Sequence, residues 1–153
     1  MTTIDMHLHL PVPEWLDGAI GPYLASAERY FHTTVTARPI EDLAAEYEAL
    51  DTVGVLLAWD AETFTGRPPL SNELVAGVVK RFPGRFVGFG SVDPLKPNAP
   101  ALLRQLPDLG LKGLKLSEDE MAGREDDLQK KVDEFNAKIE EAAKHKEADV
   151  LKV

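Results

Sequence analysis

His7 and His9 stand one residue apart in the stretch Ile4-Asp5-Met6-His7-Leu8-His9-Leu10. Side chains at i and i+2 of an extended strand share a face, so two imidazoles at this spacing can aim at one point. Neutral imidazole is a common ligand for zinc and other first-row divalent ions. The pair follows a possible buried strand and precedes the loop Pro11-Val12-Pro13. Catalytic groups of parallel-sheet enzymes sit at such C-terminal strand ends. A metal site is the chemistry expected here; the alternative is two histidines sharing a strand face by chance. Asp5 is read as facing away from His7 and is set aside as a ligand. Two further histidines, His32 and His145, lie off the strand candidates and are poor ligand candidates.

The pair needs a strand beneath it, and four strand candidates are present. Thr3 to Leu8 is the first. Val53 to Ala58 is nearly all apolar, as expected of a strand buried on both faces. Arg85 to Val92 is the third, and Gly113 to Leu116 a weaker fourth. Helical patterns alternate with them. Pro39 to Leu50 has proline at its start, acidic Glu41 and Asp42 in its first turn, and Leu43, Ala44, Tyr47 and Leu50 at helical spacing. Ser71 to Phe82 opens on an N-cap residue and aligns Leu74, Val75, Val78 and Val79. Ala99 to Leu106 is the third. This alternation implies a parallel α/β sheet. The connection from residue 14 to 38 is less regular and carries Trp15, Tyr23, Tyr30, Phe31 and His32. It suits either a lid or pocket wall, or a satellite core under a loop.

Asp60 and Glu62 follow the second strand, where they line a possible pocket with His32; capping is the plainer role for the two acids. Asp93 before Pro94 reads as turn chemistry. Lys115 lies near a strand end that faces a barrel mouth, a weak signal on its own.

The chain of 153 residues is 44% hydrophobic, enough for one domain with a real core. It is far shorter than the roughly 250 residues of a complete eight-stranded α/β barrel. The absence of cysteine excludes disulfides, thiolate metal sites and a cysteine nucleophile. No basic segment leads into an apolar run and no apolar stretch approaches membrane-spanning length, so neither a signal peptide nor a membrane span is expected. A cytoplasmic location is the expectation. The formal charge of −9 argues against a general nucleic-acid-binding surface.

Four segments together carry a resemblance: Ile4-Asp5-Met6-His7-Leu8-His9, Leu56-Leu57-Ala58-Trp59-Asp60-Ala61-Glu62-Thr63, Arg85-Phe86-Val87-Gly88-Phe89-Gly90-Ser91-Val92-Asp93-Pro94 and Gly110-Leu111-Lys112-Gly113-Leu114-Lys115-Leu116. In this order and spacing they resemble the amidohydrolase-related family of α/β-barrel enzymes, which includes metal-dependent hydrolases and the aminocarboxymuconate-semialdehyde decarboxylase type. The resemblance covers residues 1–116, about half of a TIM-type barrel. It implies that His7 and His9 are first-strand ligands of a divalent metal, zinc by preference. Such an ion lowers the pKa of a bound water, or polarises a carbonyl or carboxylate of a small-molecule substrate. The family draws its other ligands from histidines on the fifth and often the sixth strand and an aspartate on the eighth. Where it continues into a loop beginning His-Pro, this chain reads Ser117-Glu118-Asp119-Glu120. The expectation is a truncated half-barrel holding its metal weakly, with little or no hydrolase or decarboxylase activity and no catalytic acid or base assigned.

Composition changes near residue 117. All eleven prolines lie between Pro11 and Pro107, and Gly123 is the one glycine beyond Leu116. Ser117 with Glu120 forms a capping box, and Leu128, Val132, Phe135, Ile139 and Ala142 recur at heptad-like spacing. A long charged helix over 117–153 is expected. Its seam, through Leu128, Val132, Phe135 and Ile139, needs a helix partner or supports self-association. Ser117 to Glu120, Glu125 to Lys130, Lys138-Ile139 and Lys146-Glu147 resemble the last helix of the ribosome recycling factor family. The whole reads as chimeric: a half-barrel over 1–116 joined to a foreign helix. A helix-mediated interaction module, or a translation protein of that second kind, is the alternative function.

Overall fold

The computed structural model describes residues 3–115 of the chain. Four strands, β1 (Thr3–Leu8), β2 (Thr52–Leu57), β3 (Phe86–Ser91) and β4 (Gly113–Lys115), pair in parallel in the order β1-β2-β3-β4. They form a curled half-barrel of α/β type. Sequential parallel pairing requires a crossover at each step, and helices supply it: α2 (Ile40–Ala49) before β2, α4 (Asn72–Arg81) before β3 and α5 (Ala99–Gln105) before β4. Each falls within the span that helical periodicity marks out.

Local chemistry accounts for the helix bounds. Ser71 caps α4 by accepting a hydrogen bond from the Leu74 amide at 3.1 Å, and Lys80 and Arg81 occupy its last turn, where cations complement the helix dipole. Glu41 and Asp42 serve the opposite end of α2. Val75 and Val78 of α4 and Leu43 and Ala44 of α2 are buried in one core with Leu56 and Phe86 of the sheet and Ala58 just beyond β2. Gly88 permits the close approach of α4. A Cβ on it would lie 2.6 Å from Leu111 and 3.1 Å from Val79.

The connection after β1 is more structured than its sequence suggests. It folds as a π-helix at Glu14–Ala19, a 3₁₀ turn at Gly21–Tyr23 and helix α1 (Leu24–Phe31). Trp15, Leu16 and Ala19 of the π-helix are buried, whereas α1 buries none of its residues. Trp15 is buried, while Tyr30 and Phe31 are largely exposed. A further short helix, α3 (Glu62–Thr65), follows β2 and is absent from the sequence-based reading. No helix among the described residues is long and apolar enough to cross a membrane. The expected helix over 117–153, its seam residues, His145 and the boundary at Leu116/Ser117 lie outside the described residues.

Candidate metal centre

His7 is the penultimate residue of β1 and His9 follows the strand, and their Nε2 atoms lie 3.3 Å apart. Two ligands about 2.0–2.1 Å from one tetrahedral ion are separated by about 3.3–3.4 Å, so the two nitrogens stand at the spacing of a shared metal. His9 Nδ1 is 3.1 Å from the carbonyl oxygen of Leu57, the last residue of β2. A carbonyl can only accept, so Nδ1 carries the proton and the lone pair of the neutral ring resides on Nε2. Metal-ligating histidines are held by this kind of bond.

The strand delivers the pair through an irregularity. Asp5 registers with Gly54, and Leu8 with Leu56, so β1 spends three residues where β2 spends two. This bulge places Asp5 and Leu8 on one face and frees His7 to turn to the other. Asp5 does face away from the pair, as expected, but a regular strand would have put it on the side of His7. Its Oδ2 accepts from the Tyr47 hydroxyl at 2.5 Å and its Oδ1 from the His7 amide at 3.1 Å. Burial, then the nearby Asp5 carboxylate, pushes the Tyr47 phenol well above its ordinary range.

Two tryptophans wall the site. Trp15 stacks on the His9 ring with centroids 4.0 Å apart and planes 14° from parallel. Trp59 meets both rings edge-on, at 5.7 Å from Trp15 and 6.1 Å from His9. Trp59 is fixed by a paired bridge to Leu70, its amide donating at 3.0 Å and its carbonyl accepting at 2.8 Å. Lys115, at the end of β4, brings Nζ within 3.0 Å of His9 Nε2 and 4.4 Å of the Trp59 ring centroid. Burial pushes the Lys115 amine down to about 8. Burial, then the charges of Lys115 and His7, pushes His9 down to about 3, against the pull of the Leu57 bond. The ring is thus neutral near pH 7, the form that binds metals.

Asp60 and Glu62 take a different place. Lys96 Nζ lies 2.9 Å from both Asp60 oxygens and 2.8 Å from Glu62 Oε2. Burial disfavours the Lys96 charge, but these carboxylates outweigh it and raise its pKa. Asp93, read as a turn residue, accepts from the Leu95 amide at 3.0 Å, and also from the Thr63 amide of α3 at 2.7 Å. His32 ends α1 as an exposed cap in the left-handed conformation, φ 51°. Among the described residues, none of these joins the pair in a group of three or more metal-ligating side chains. The structure instead brings Trp15, Trp59 and Lys115 to the histidines. Lys115 ends β4 and Trp59 lies two residues past the end of β2, and this closeness to strand ends is the one signal in the sequence that marks them.

A family model described as amidohydrolase matches residues 4–144. The chain belongs to the amidohydrolase family. No curated protein and no solved structure gives a significant match. The paired histidines of this family member sit where the half-barrel's strands end, beside the two tryptophans and the lysine.

Proposed function

We propose that the chain carries part of the site of a metal-dependent hydrolase or decarboxylase, with His7 and His9 as ligands of a divalent ion, zinc in first place. The observation that carries this reading is the 3.3 Å separation of the two Nε2 atoms, with His9 oriented by Leu57. Zinc accepts imidazole nitrogen readily, whereas magnesium and calcium prefer oxygen. A bound ion would supply Lewis-acid polarisation of a substrate carbonyl or carboxylate. Around it, Trp15 and Leu57 hold His9 in one orientation, and the two indoles limit access of water to its ring. The substrate is a small molecule that enters at the C-terminal ends of the strands.

Catalytic zinc generally takes three protein ligands, and residues 3–115 bring two imidazoles to this site, His7 and His9. Zinc is therefore held weakly unless residues outside this range, or a second copy of the chain through self-association, add a ligand. The test is zinc affinity of the metal-free chain by chelator competition, followed by turnover of ester, lactone and amide substrates and of carboxylates that can lose carbon dioxide. We expect one weak zinc per chain, at least about tenfold weaker in His7→Ala and in His9→Ala, with little or no turnover. Zinc binding unchanged in both variants rejects the site. Robust turnover abolished in His7→Ala would show that the site is complete.

A further inference from the structure

Residues 60–69, which include α3, form a loop with a closed neck. The Trp59 amide donates to the Leu70 carbonyl at 3.0 Å and the Leu70 amide to the Trp59 carbonyl at 2.8 Å, so both ends of the loop leave from one point. Surface loops of this length with adjacent ends form compact units. This one is fastened to two other elements. Lys96, in the segment after β3, donates to both Asp60 oxygens at 2.9 Å and to Glu62 Oε2 at 2.8 Å. Beside it, the Asp60 amide donates to Ser91 Oγ at 3.0 Å and the Thr63 amide to Asp93 Oδ2 at 2.7 Å. At the other end of the loop, Arg67 donates to the Gly18 and Asp17 carbonyls of the π-helix. A Cβ on Gly21 would lie 2.5 Å from the Arg67 guanidinium, so a glycine there makes room for the clamp.

Each end of the loop leads to one of the tryptophans at His9. Trp59 is the neck itself and immediately precedes Asp60. Trp15 lies in the π-helix that Arg67 holds, and it stacks on the His9 ring with centroids 4.0 Å apart. The two indoles meet at 5.7 Å. We propose that residues 60–69 are a strap that holds Trp15 and Trp59 against His9 as one wall, and that Lys96 is its latch. The Asp60 arm carries most of the latch. That side chain is 10% exposed and gives both oxygens to the ammonium, whereas Glu62 is 50% exposed, and exposed ion pairs hold little. Lys96 acts on the indoles through the loop, which makes it a positioning residue. With the latch released, the loop and the π-helix loosen together and the wall beside His9 opens to small molecules. The bearing of the strap on metal chemistry rests on the reading of His9 as a ligand; the strap itself does not.

Hydrogen exchange and NMR spectra of the full metal-free chain, wild type against Lys96→Met, Lys96→Arg and Asp60→Asn, test the coupling. Lys96→Met is expected to raise exchange about tenfold or more in residues 61–66 and also across Glu14–Ala19, at the Arg67 end of the strap, while α2 keeps its wild-type rates. The His9 ring protons should lose part of the ring-current shift that the Trp15 face gives them. Lys96→Arg, which keeps the charge and its donors, should stay within about threefold of the wild type in both regions. Asp60→Asn, a milder cut of the same latch, should move the same two regions by less, and it carries the test alone if Lys96→Met does not fold. Faster exchange confined to residues 61–66, with the His9 shifts unchanged, would overturn the proposal. So would an equal rise in α2, which would make Lys96 a general stabiliser of the fold. None of these readouts needs a metal, so the strap and the ligand reading stand or fall separately.

Discussion

Individual side chains here work through what fixes them. His9 is held at Nδ1 by the Leu57 carbonyl and across its face by the Trp15 indole, and these two contacts set where its Nε2 points. Trp15→Ala should cost about 3–5 kcal/mol of stability, as large aromatic truncations in cores do, which chemical denaturation would measure. The same variant should remove the ring-current displacement of the His9 ring protons in NMR spectra; an unshifted His9 signal in the wild type would contradict the stack. Asp93 provides the pH-dependent case. Burial alone would raise its pKa, but the amides of Thr63 and Leu95, with Lys96 nearby, bring it below the ordinary aspartate range. The folded state therefore binds this proton less readily than the unfolded chain. The stabilisation is fully present above the usual aspartate pKa of about 3.9 and is lost as pH falls through the lower folded value. Asp93→Asn should destabilise by about 1–3 kcal/mol at neutral pH. Melting curves of the two proteins should converge on acidification, and a constant gap would contradict the account.

Among the elements, the strands and the three crossover helices are legible in the sequence because each states its own pattern. Val53 to Leu57 is a short apolar run, and α4 announces itself with Ser71, an apolar face and a basic last turn. Ser71→Ala should cost about 1 kcal/mol through loss of the cap. The elements that escape such reading are held by distant partners. The four-residue α3 depends on Asp93, thirty residues away, accepting from Thr63. The π-helix that carries Trp15 is gripped by Arg67, whose Nε donates to the Gly18 carbonyl at 2.8 Å while Nη2 donates to the Asp17 carbonyl. Arg67→Ala should therefore loosen Trp15 and raise hydrogen exchange across Glu14–Ala19 while leaving α4 unchanged; uniform exchange across both would argue against this clamp. The bulge in β1 is equally silent in sequence, since nothing in Asp5-Met6-His7 announces an extra residue.

At the scale of the whole molecule, the half-barrel collects on one rim groups that are far apart in the chain. His7 comes from β1 and His9 from just beyond it, Trp59 from beyond β2, and Lys115 from β4. Spacing marks the histidines as a pair because they are neighbours. It cannot mark Lys115 as the group at His9, because only the parallel order β1-β2-β3-β4 and its registers bring them together. Asp60 and Glu62, by contrast, stand on the same rim and are taken up by Lys96. The amidohydrolase family and the half-barrel follow from the pattern of strands and the match over residues 4–144. The most direct test of the central claim, that His7 and His9 share a metal ion, is X-ray absorption spectroscopy at the zinc edge of the zinc-loaded chain. The account predicts imidazole scattering from two nitrogens at about 2.0–2.1 Å, lost in the His7→Ala, His9→Ala double variant. The same spectrum in that variant would contradict it.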